Sequence, residues 1–591
     1  MDTRAIISSL IRPDGTLALP ETMTLATLAE MLYAKGDTSA LALGFHDVPN
    51  DELHTFTRAE VNTRVKAVAA RLQQIAEPGT RIALLVGNSP EYLFSFLGAL
   101  YAGMVPIPLY DPRERGHEGH LKVVFEDAEP QIVLTNRLSA PAVLRFFGET
   151  PAHERARVIV VDKLPDSLAK YWKPTQGSIN DPVFLQYTSG STRRPAGVIL
   201  TNRTILYNVL QTYFALEVKT PLRMVTWLPM HHDMGMIVVV LAALLGEYID
   251  LMTPQDFVQD PSRWTNTAAR RGDDDVFTWS VLPNFALELL ATRGRPTEGQ
   301  DFSNLGTIIV GSEPVTERAI NAFKATFEPY GIDPHILYPS YGLAEAAMLV
   351  ATPQRKNQPL VSHFDREALE AGRAELTDVA EGYVAVTSNG QSVPIQGLTI
   401  VDPETKAELA DGVVGEIWVN GGNLANGYFG QGEGTDDTFN QVLGERLAEG
   451  SRVEKFPNEG WLATGDLGAF VDGEFYITGR IKDMVVIAGR NHYPQDIEAT
   501  VQNASDHVRV DSVAAFSIPG DEVEKLVIFA ERADGATEAG DEEAIAAIRS
   551  AVAAAHGITP EVIEMRAPGE IKRSASGKIA RRVNRNDFLA R

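Results

Sequence analysis

The chain has 591 residues, 44% hydrophobic and 22% charged; this is globular composition, too long for one compact core, so two or three domains are expected. It contains no cysteine, which excludes disulfides, thiolate metal sites and a cysteine nucleophile, and which fits a reducing compartment. A formal charge of −25 disfavours general nucleic-acid binding and adsorption to anionic lipid, but it leaves room for an anionic substrate at a locally basic site.

The N-terminus, Met1-Asp2-Thr3-Arg4-Ala5, carries an early acid and no long apolar core, so it does not read as a signal peptide. The longest apolar run, Met234 to Leu245, is shorter than the ~18 residues of a membrane span. A cytoplasmic protein without a transmembrane segment is expected.

Residues 1 to 180 alternate helical and strand patterns. Val61 to Ile75 repeats apolar positions at helical spacing. Arg81 to Val86 is a short strand, closed by Gly87-Asn88-Ser89-Pro90, and Tyr92 to Tyr101 is a helix apolar almost all round. Gly103 to Leu109 is extended, and Ile132 to Thr135 and Val158 to Val161 are further strands. This alternation predicts an α/β fold with a mostly parallel sheet.

Pro182 to Leu185 and Val198 to Leu200 are apolar runs on either side of Tyr187-Thr188-Ser189-Gly190-Ser191-Thr192-Arg193-Arg194-Pro195-Ala196-Gly197. Strand, hydroxyls and glycine, then strand, describes a hairpin loop with exposed N–H groups. Glycine lets the backbone approach an anion, and the hydroxyls add donors for phosphate oxygens. The same residues also suit a plain polar turn. The loop is not a Walker A motif, because no Gly-Lys-Ser/Thr ends it.

Trp227-Leu228-Pro229-Met230-His231-His232-Asp233-Met234-Gly235 ends a strand and opens an apolar helix. Two adjacent histidines on one strand point to opposite faces, which argues against a shared metal ion. Met230 and Met234 suit either an adaptable apolar channel or the core. Leu282 to Ala286 begins another helix, and Thr307 to Pro314 reads as strand, glycine turn and helix start. Gly311 and Ser312 therefore sit at a strand's C-terminal edge, where open α/β sheets bind ligands.

Tyr338-Pro339-Ser340-Tyr341-Gly342-Leu343-Ala344-Glu345 follows, and then the pattern loosens from Ala351 to Ser388, with a short helix near Asp365 to Ala371. A connection this long is usually functional or flexible. Residues 397 to 478 read as short strands and turns, including Gly460-Trp461-Leu462-Ala463-Thr464-Gly465-Asp466. A carboxylate there has the acceptors to clamp a ribose diol. Beyond Arg480, Ile481-Lys482-Asp483 marks a boundary before a small α+β unit. Its strands are expected at Ser512 to Ser517 and Lys525 to Ala530, its helix at Glu542 to Ala555, and a solvated acidic loop at Glu531 to Glu543. The basic Ile571-Lys572-Arg573-Ser574-Ala575-Ser576-Gly577-Lys578 taken alone is a surface loop.

Seven of these stretches, in this order, resemble the signatures of the adenylate-forming superfamily of acyl-CoA synthetases, luciferases and adenylation domains. The loop matches T-S-G-S-T-G-x-P-K-G at Thr188 to Thr192, Pro195 and Gly197, with Arg193 for a glycine and Ala196 for the lysine. Tyr341-Gly342-Leu343-Ala344-Glu345 departs from Y-G-x-T-E at Ala344. Thr192-Arg193, the His-Asp-Met-Gly run, Gly489 to Glu498 and the segment 351–388 with Asp365-Arg366-Glu367-Ala368-Leu369 resemble the fatty-acyl-AMP ligase branch, in particular the actinobacterial long-chain ligases of mycolic-acid synthesis.

The resemblance implies a large N-terminal adenylation domain over 1–480, a hinge at 481–483 and a small mobile C-terminal domain over 484–591. Within the large domain it implies a family insertion at 351–388 and a β subdomain near 397–478. The cofactors implied are ATP and Mg²⁺. Thr188, Ser189, Gly190, Ser191 and Thr192 would hold phosphates; Gly311, Ser312 and Tyr341 would hold adenine, with Ser340 and Ala344 also in the nucleotide site; Asp466 and Arg480 would hold the ribose and α-phosphate. Thr188 and Glu345 would hold the metal, with His232, Glu345 and Lys578 acting in the reaction. The implied partners are a long-chain fatty acid and a phosphopantetheinylated acyl carrier protein or polyketide synthase carrier domain. The rival readings are an acyl-CoA synthetase, an amino-acid adenylation enzyme, for which no clear Asp stands at the expected place near Phe285, and a non-catalytic nucleotide- or carrier-binding scaffold.

Overall fold

The structure is a computed structural model that describes all residues except 1–9, 13–16, 35–36, 115–117, 149, 152, 189–194, 273–275, 355–358, 380–381, 433–434, 436, 488–489, 521–523 and 575–576. Its N-terminal part is built on two sheets. The first runs, from one edge, through Leu337–Pro339, Leu305–Gly311, Phe277–Pro283, Leu222–Thr226, Tyr248–Leu251 and Leu41–Asp47 to Glu52–Thr57. Every neighbouring pair is parallel except the last, a hairpin. The second, Val105–Leu109, Arg81–Leu85, Ile132–Thr135 and Arg157–Val160, is parallel throughout.

Local sequence explains the helices packed on these sheets. Pro90–Tyr101 has Glu91 as its one residue that is not buried, and so forms a core helix with no solvent face. Arg58–Gln73 begins at a capping box: Thr57 Oγ1 accepts from Glu60 N at 3.3 Å, and Thr57 N donates to Glu60 Oε2 at 2.8 Å. Parallel strands need such crossovers, and their C-terminal ends then line up along one edge.

The strands Pro182–Tyr187 and Gly197–Thr201 pair antiparallel, as the sequence predicts. Residues 426–429 join this hairpin: Ile199 N donates to Gly427 O at 3.0 Å, and Phe429 N to Gly197 O at 2.8 Å. Gln396–Val401, Gly415–Gly421, Leu462–Val471 and Glu474–Arg480 form an antiparallel sheet.

After the single turn Ile481–Asp483 the chain builds a unit with its own core, which includes Ile497, Val501, Ile528, Ile548 and Val552. Its sheet comprises Val508–Ile518, Lys525–Arg532 and Val562–Arg566, flanked by helix Asp541–His556. The acidic loop is shorter than expected. Glu531 lies inside a strand, buried, and accepts from Ile571 N at 2.9 Å. Asp541, Glu542 and Glu543 form the first turn of the helix, where carboxylates meet the positive end of the helix dipole.

The described residues of the loosely patterned segment 351–388 have a defined form. Val361–Asp365 pairs antiparallel with Tyr383–Thr387, and Arg366–Glu370 is a short helix capped by Asp365, whose carboxylate accepts from Ala368 N at 2.8 Å. It touches both parts of the chain. Thr387 Oγ1 donates to Val315 O at 2.5 Å, and Ser362 shares a hydrogen bond with Tyr476 at 2.8 Å. On the other side Arg366 pairs with Asp496 at 2.7 and 3.1 Å, and Tyr493 donates to Leu369 O at 3.3 Å. Phe364, Leu369, Tyr476 and Tyr493 share one apolar cluster. Among the described residues no helix is long and apolar enough to cross a membrane.

Candidate active site

The candidate residues collect along the C-terminal edge of the first sheet. Pro283 pairs with Gly311 and Val310 with Pro339, so the ends of three strands stand side by side. A Cβ on Gly311 would stand 3.2 Å from Ser340 O, so glycine keeps this edge thin. Ser312 follows with φ +70, a left-handed backbone that costs a non-glycine residue roughly 1–2 kcal/mol. Its hydroxyl lies 3.4 Å from Met234 Sδ. Ser340 Oγ donates to Tyr338 O at 2.9 Å and shares a hydrogen bond with Thr352 at 2.8 Å, so this hydroxyl holds the edge together.

Thr188 N donates to Ala196 O at 3.1 Å and closes the base of the phosphate-loop candidate. Ser189, Gly190, Ser191 and Thr192 lie outside the described residues.

The two histidines occupy a turn after Leu222–Thr226 rather than the strand itself. They face different partners: the His231 ring packs 4.3 Å from that of Tyr110, while His232 Nδ1 lies 2.6 Å from Asp233 Oδ1. Burial alone would raise the pKa of Asp233; attraction to His232, with a smaller pull from Lys578, outweighs it and holds the carboxyl well below the usual range. Met230 is fully buried, and its N–H donates to Asn88 Oδ1 at 3.0 Å.

Tyr341, Asp466 and Arg480 form one chain of hydrogen bonds. Tyr341 donates to Asp466 Oδ2 at 2.7 Å, and Arg480 Nε to Oδ1 at 2.5 Å. A carboxylate has about four acceptor positions, so two stay available to a diol. The Tyr341 ring is buried, with its centroid 5.9 Å from that of Phe475. The Asp466 charge raises the Arg480 pKa above its ordinary value.

Ala344 is buried and opens the single turn Ala344–Ala346, which presents Glu345. Burial raises the Glu345 pKa; a hydrogen bond donated by Tyr428 to Oε1 at 2.8 Å works against that rise. Sequence reasoning missed Tyr428. It stands 83 residues from Glu345, and no local spacing signals the pair. The β-pairing of 426–429 with the Gly197–Thr201 strand puts it there.

Gly342 holds this turn in place. A Cβ there would stand 1.4 Å from Met348 O, a backbone atom. Gly342→Ala should therefore push the 343–348 turn aside, destabilising the protein by about 1–3 kcal/mol and misplacing Glu345. A thermal midpoint and an adenylation rate both equal to wild type would contradict this.

Lys578 comes from the opposite end of the chain. It sits in a small hairpin in which Ser574 N donates to Lys578 O at 2.7 Å and Gly577 takes φ +83. The side chain keeps contact with solvent, yet it stands in a mouth walled by protein. That surrounding bulk lowers its pKa from the ordinary lysine value; Asp233, Asp466 and Glu313 raise it, and Arg480 lowers it. Water reaches the ammonium, and the carboxylates of Asp233, Asp466 and Glu313 favour its charged form. Asp233 and Glu313, which sequence reasoning left out of the site, are thus its electrostatic neighbours. Glu313 also accepts from Phe285 N at 2.8 Å, and burial raises its pKa.

The arrangement places hydroxyls and N–H groups, two cations and a half-buried carboxylate along one sheet edge. That set can hold a polyanion and screen it from a second anion.

Comparison with known proteins agrees with this chemistry. Residues 32–429 match the model of the AMP-binding enzyme family. The long-chain-fatty-acid–AMP ligase FadD32 of Mycolicibacterium smegmatis is 41% identical over 98% of this chain and 96% of its own. A structure from work on fatty acyl-adenylate ligases of E. coli and L. pneumophila superposes with a TM-score of 0.82 at 28% identity, covering 96% of this chain and 99% of that one. The L. pneumophila fatty acyl-adenylate ligase in complex with acyl adenylate and pyrophosphate gives 0.71 at 29% identity, with 96% of each chain covered. Sharing nearly its whole length with the long-chain-fatty-acid–AMP ligases, the chain belongs to the family of AMP-binding enzymes.

Proposed function

We propose that the protein activates a long-chain fatty acid as its acyl adenylate and passes the acyl group to the phosphopantetheine thiol of a carrier protein or polyketide synthase carrier domain, in mycolic-acid or related lipid synthesis. The observation that carries this reading is the meeting of Lys578, from the C-terminal unit, with Asp233, Asp466, Arg480 and Glu313 of the N-terminal part.

A fatty carboxylate is a poor electrophile because its oxygen leaves badly. Its attack on the α-phosphorus of ATP forms a mixed anhydride and releases pyrophosphate. Both reactants are anions, so the site has to align them and screen their charge. In this reading the hairpin around Thr188 holds the β- and γ-phosphates. Gly311 and Ser312 flank the adenine, and Asp466 accepts from the ribose hydroxyls. Arg480 and Lys578 face the α-phosphate, and His232, oriented by Asp233, stands beside the carboxylate. Glu345 suits Mg²⁺: it is a hard oxygen ligand oriented by Tyr428, and a cation would offset the burial that raises its pKa. When bound, Mg²⁺ neutralises the phosphates. The thiol then attacks the acyl carbon and AMP leaves.

The two half-reactions use different faces of a mobile C-terminal domain, with 481–483 as the hinge and 351–388 as the segment that limits its swing. We place the reaction in the cytoplasm, where ATP is supplied.

Mass spectrometry of products tests the reading. With ATP, Mg²⁺ and a fatty-acid panel, the protein should form acyl adenylate. With a pantetheinylated carrier it should form the acyl thioester, and with free CoA it should leave the adenylate standing. Efficient acyl-CoA release would favour an ordinary acyl-CoA synthetase, and no pyrophosphate release with any acid would favour a scaffold.

A further inference from the structure

Where helix Arg366–Glu370 meets the C-terminal unit, three metal-ligating side chains converge that the adenylation chemistry does not use. Glu370 ends that helix, His492 ends the strand Arg490–His492, and His556 ends the helix Asp541–His556. One ligand atom from each lies within 4.8 Å of the others. Their side chains are 9%, 0% and 1% exposed, so water does not satisfy them.

The hydrogen bonds around these imidazoles leave nitrogens open. His492 Nδ1 lies 2.9 Å from Glu370 Oε1. An ionised carboxylate only accepts, so the proton belongs on Nδ1 and the lone pair on Nε2. That Nε2 is buried and has no hydrogen-bond partner among the described residues. The two ring nitrogens point to opposite sides, so an ion shared with Glu370 sits on the Nδ1 side and takes the place of the proton between them, since metal binding releases protons from its ligands. His556 Nε2 shares a hydrogen bond with Thr500 Oγ1 at 2.8 Å, and its Nδ1 lies 3.8 Å from Asp496 Oδ2, too long for a hydrogen bond. Asp496 is itself taken by Arg366, so Glu370 is the carboxylate whose charge is available to a cation.

We propose that Glu370, His492 and His556 form a site for a divalent transition metal of the zinc class, which ties the segment 351–388 to the C-terminal unit. Two imidazoles and a carboxylate suit zinc, cobalt or nickel, whereas Mg²⁺ prefers an all-oxygen set and is excluded. Ligand atoms around tetrahedral zinc stand roughly 3.3 Å apart, so loading requires side-chain rotations of about an ångström. The fourth position falls to a water carried in with the ion. One ligand comes from the inserted segment and two from the C-terminal unit, so the ion crosslinks them.

The untagged full-length chain, dialysed against chelator, is titrated with Co²⁺ and with Zn²⁺ in the presence of excess Mg²⁺. The expected result is about one equivalent bound by elemental mass spectrometry, visible d–d bands of a tetrahedral Co²⁺ site and a raised thermal midpoint. The His492→Gln/His556→Gln protein, checked for fold by circular dichroism, should lose the bands. Glu370→Gln, which removes a direct ligand, should weaken binding by more than the ~10–100-fold that loss of an outer-shell partner costs. Uptake below about a tenth of an equivalent at micromolar metal, or equal uptake by the double variant, would overturn the site. Full affinity in Glu370→Gln would overturn the crosslink. None of these readouts depends on adenylation, so the site and the proposed function fail separately.

Discussion

Lys578→Ala is expected to lower acyl-adenylate formation by ~10²–10³-fold, the usual cost of deleting a positioned charge donor at developing negative charge. Lys578 is a cation on a short hairpin, held in an electrostatic field of Asp233, Asp466 and Glu313. As the carboxylate attacks, charge builds on the bridging oxygen and the α-phosphate, and the ammonium is worth most at that moment. ATP affinity should change much less, because the hairpin at Thr188, Asp466 and Arg480 remain. The pH profile carries a second signature. A lysine whose pKa is lowered loses its proton at a lower pH than an ordinary lysine, so the wild-type rate should fall on the alkaline side sooner than an unperturbed ammonium would allow. That alkaline limb should vanish in Lys578→Ala. Pyrophosphate exchange across a pH series, with ATP binding measured in parallel, decides it. Exchange at the wild-type rate in the variant would remove Lys578 from the site.

Arg366→Ala is expected to open acyl-CoA synthesis, which under the proposed function the intact protein withholds. Arg366 and Asp496 are mostly buried, with side chains 14% and 11% exposed, and their contacts at 2.7 and 3.1 Å are bidentate. Removing one partner of such a pair typically costs ~3–5 kcal/mol, because the other charge is left buried. If that energy holds the C-terminal unit against segment 351–388, its loss shifts the balance of poses by about two to four orders of magnitude. Adenylation should persist, since Arg366 is none of the residues proposed to carry the chemistry. The measurement is product analysis with free CoA, using protein dialysed against chelator and returned to Mg²⁺ so that no crosslinking metal masks the effect. Acyl-CoA below detection in the variant, with adenylate still accumulating, would show that this ion pair does not govern the choice of acceptor.

Much of this protein is determined by local sequence. Pro90–Tyr101 is apolar on every face and can only be a core helix. Thr57 and Glu60 start a helix wherever they stand three residues apart before an apolar stripe. The hairpin around Thr188 follows from two apolar strands separated by hydroxyls and glycine, and the strand–helix alternation dictates parallel sheets. These are effects of periodicity, capping and turn chemistry, all of which act within a few residues.

What tertiary structure alone decided are the pairings between distant segments. Tyr428 reaches Glu345 across 83 residues because a stretch between two strands of the β subdomain pairs with the phosphate-loop hairpin. Asp466 is shared by Tyr341 and Arg480, so the proposed sugar ligand is already half engaged. Glu531, placed by composition in a solvated loop, is buried because Ile571 N donates to it. The adjacent histidines part because the strand ends at Thr226, before it reaches them. Arg366 finds Asp496 across 130 residues, and Glu370 finds His492 across 122. A charge in the sequence carries no mark of its partner: whether it is solvated, paired or buried depends on which distant surface folds against it, and only packing settles that.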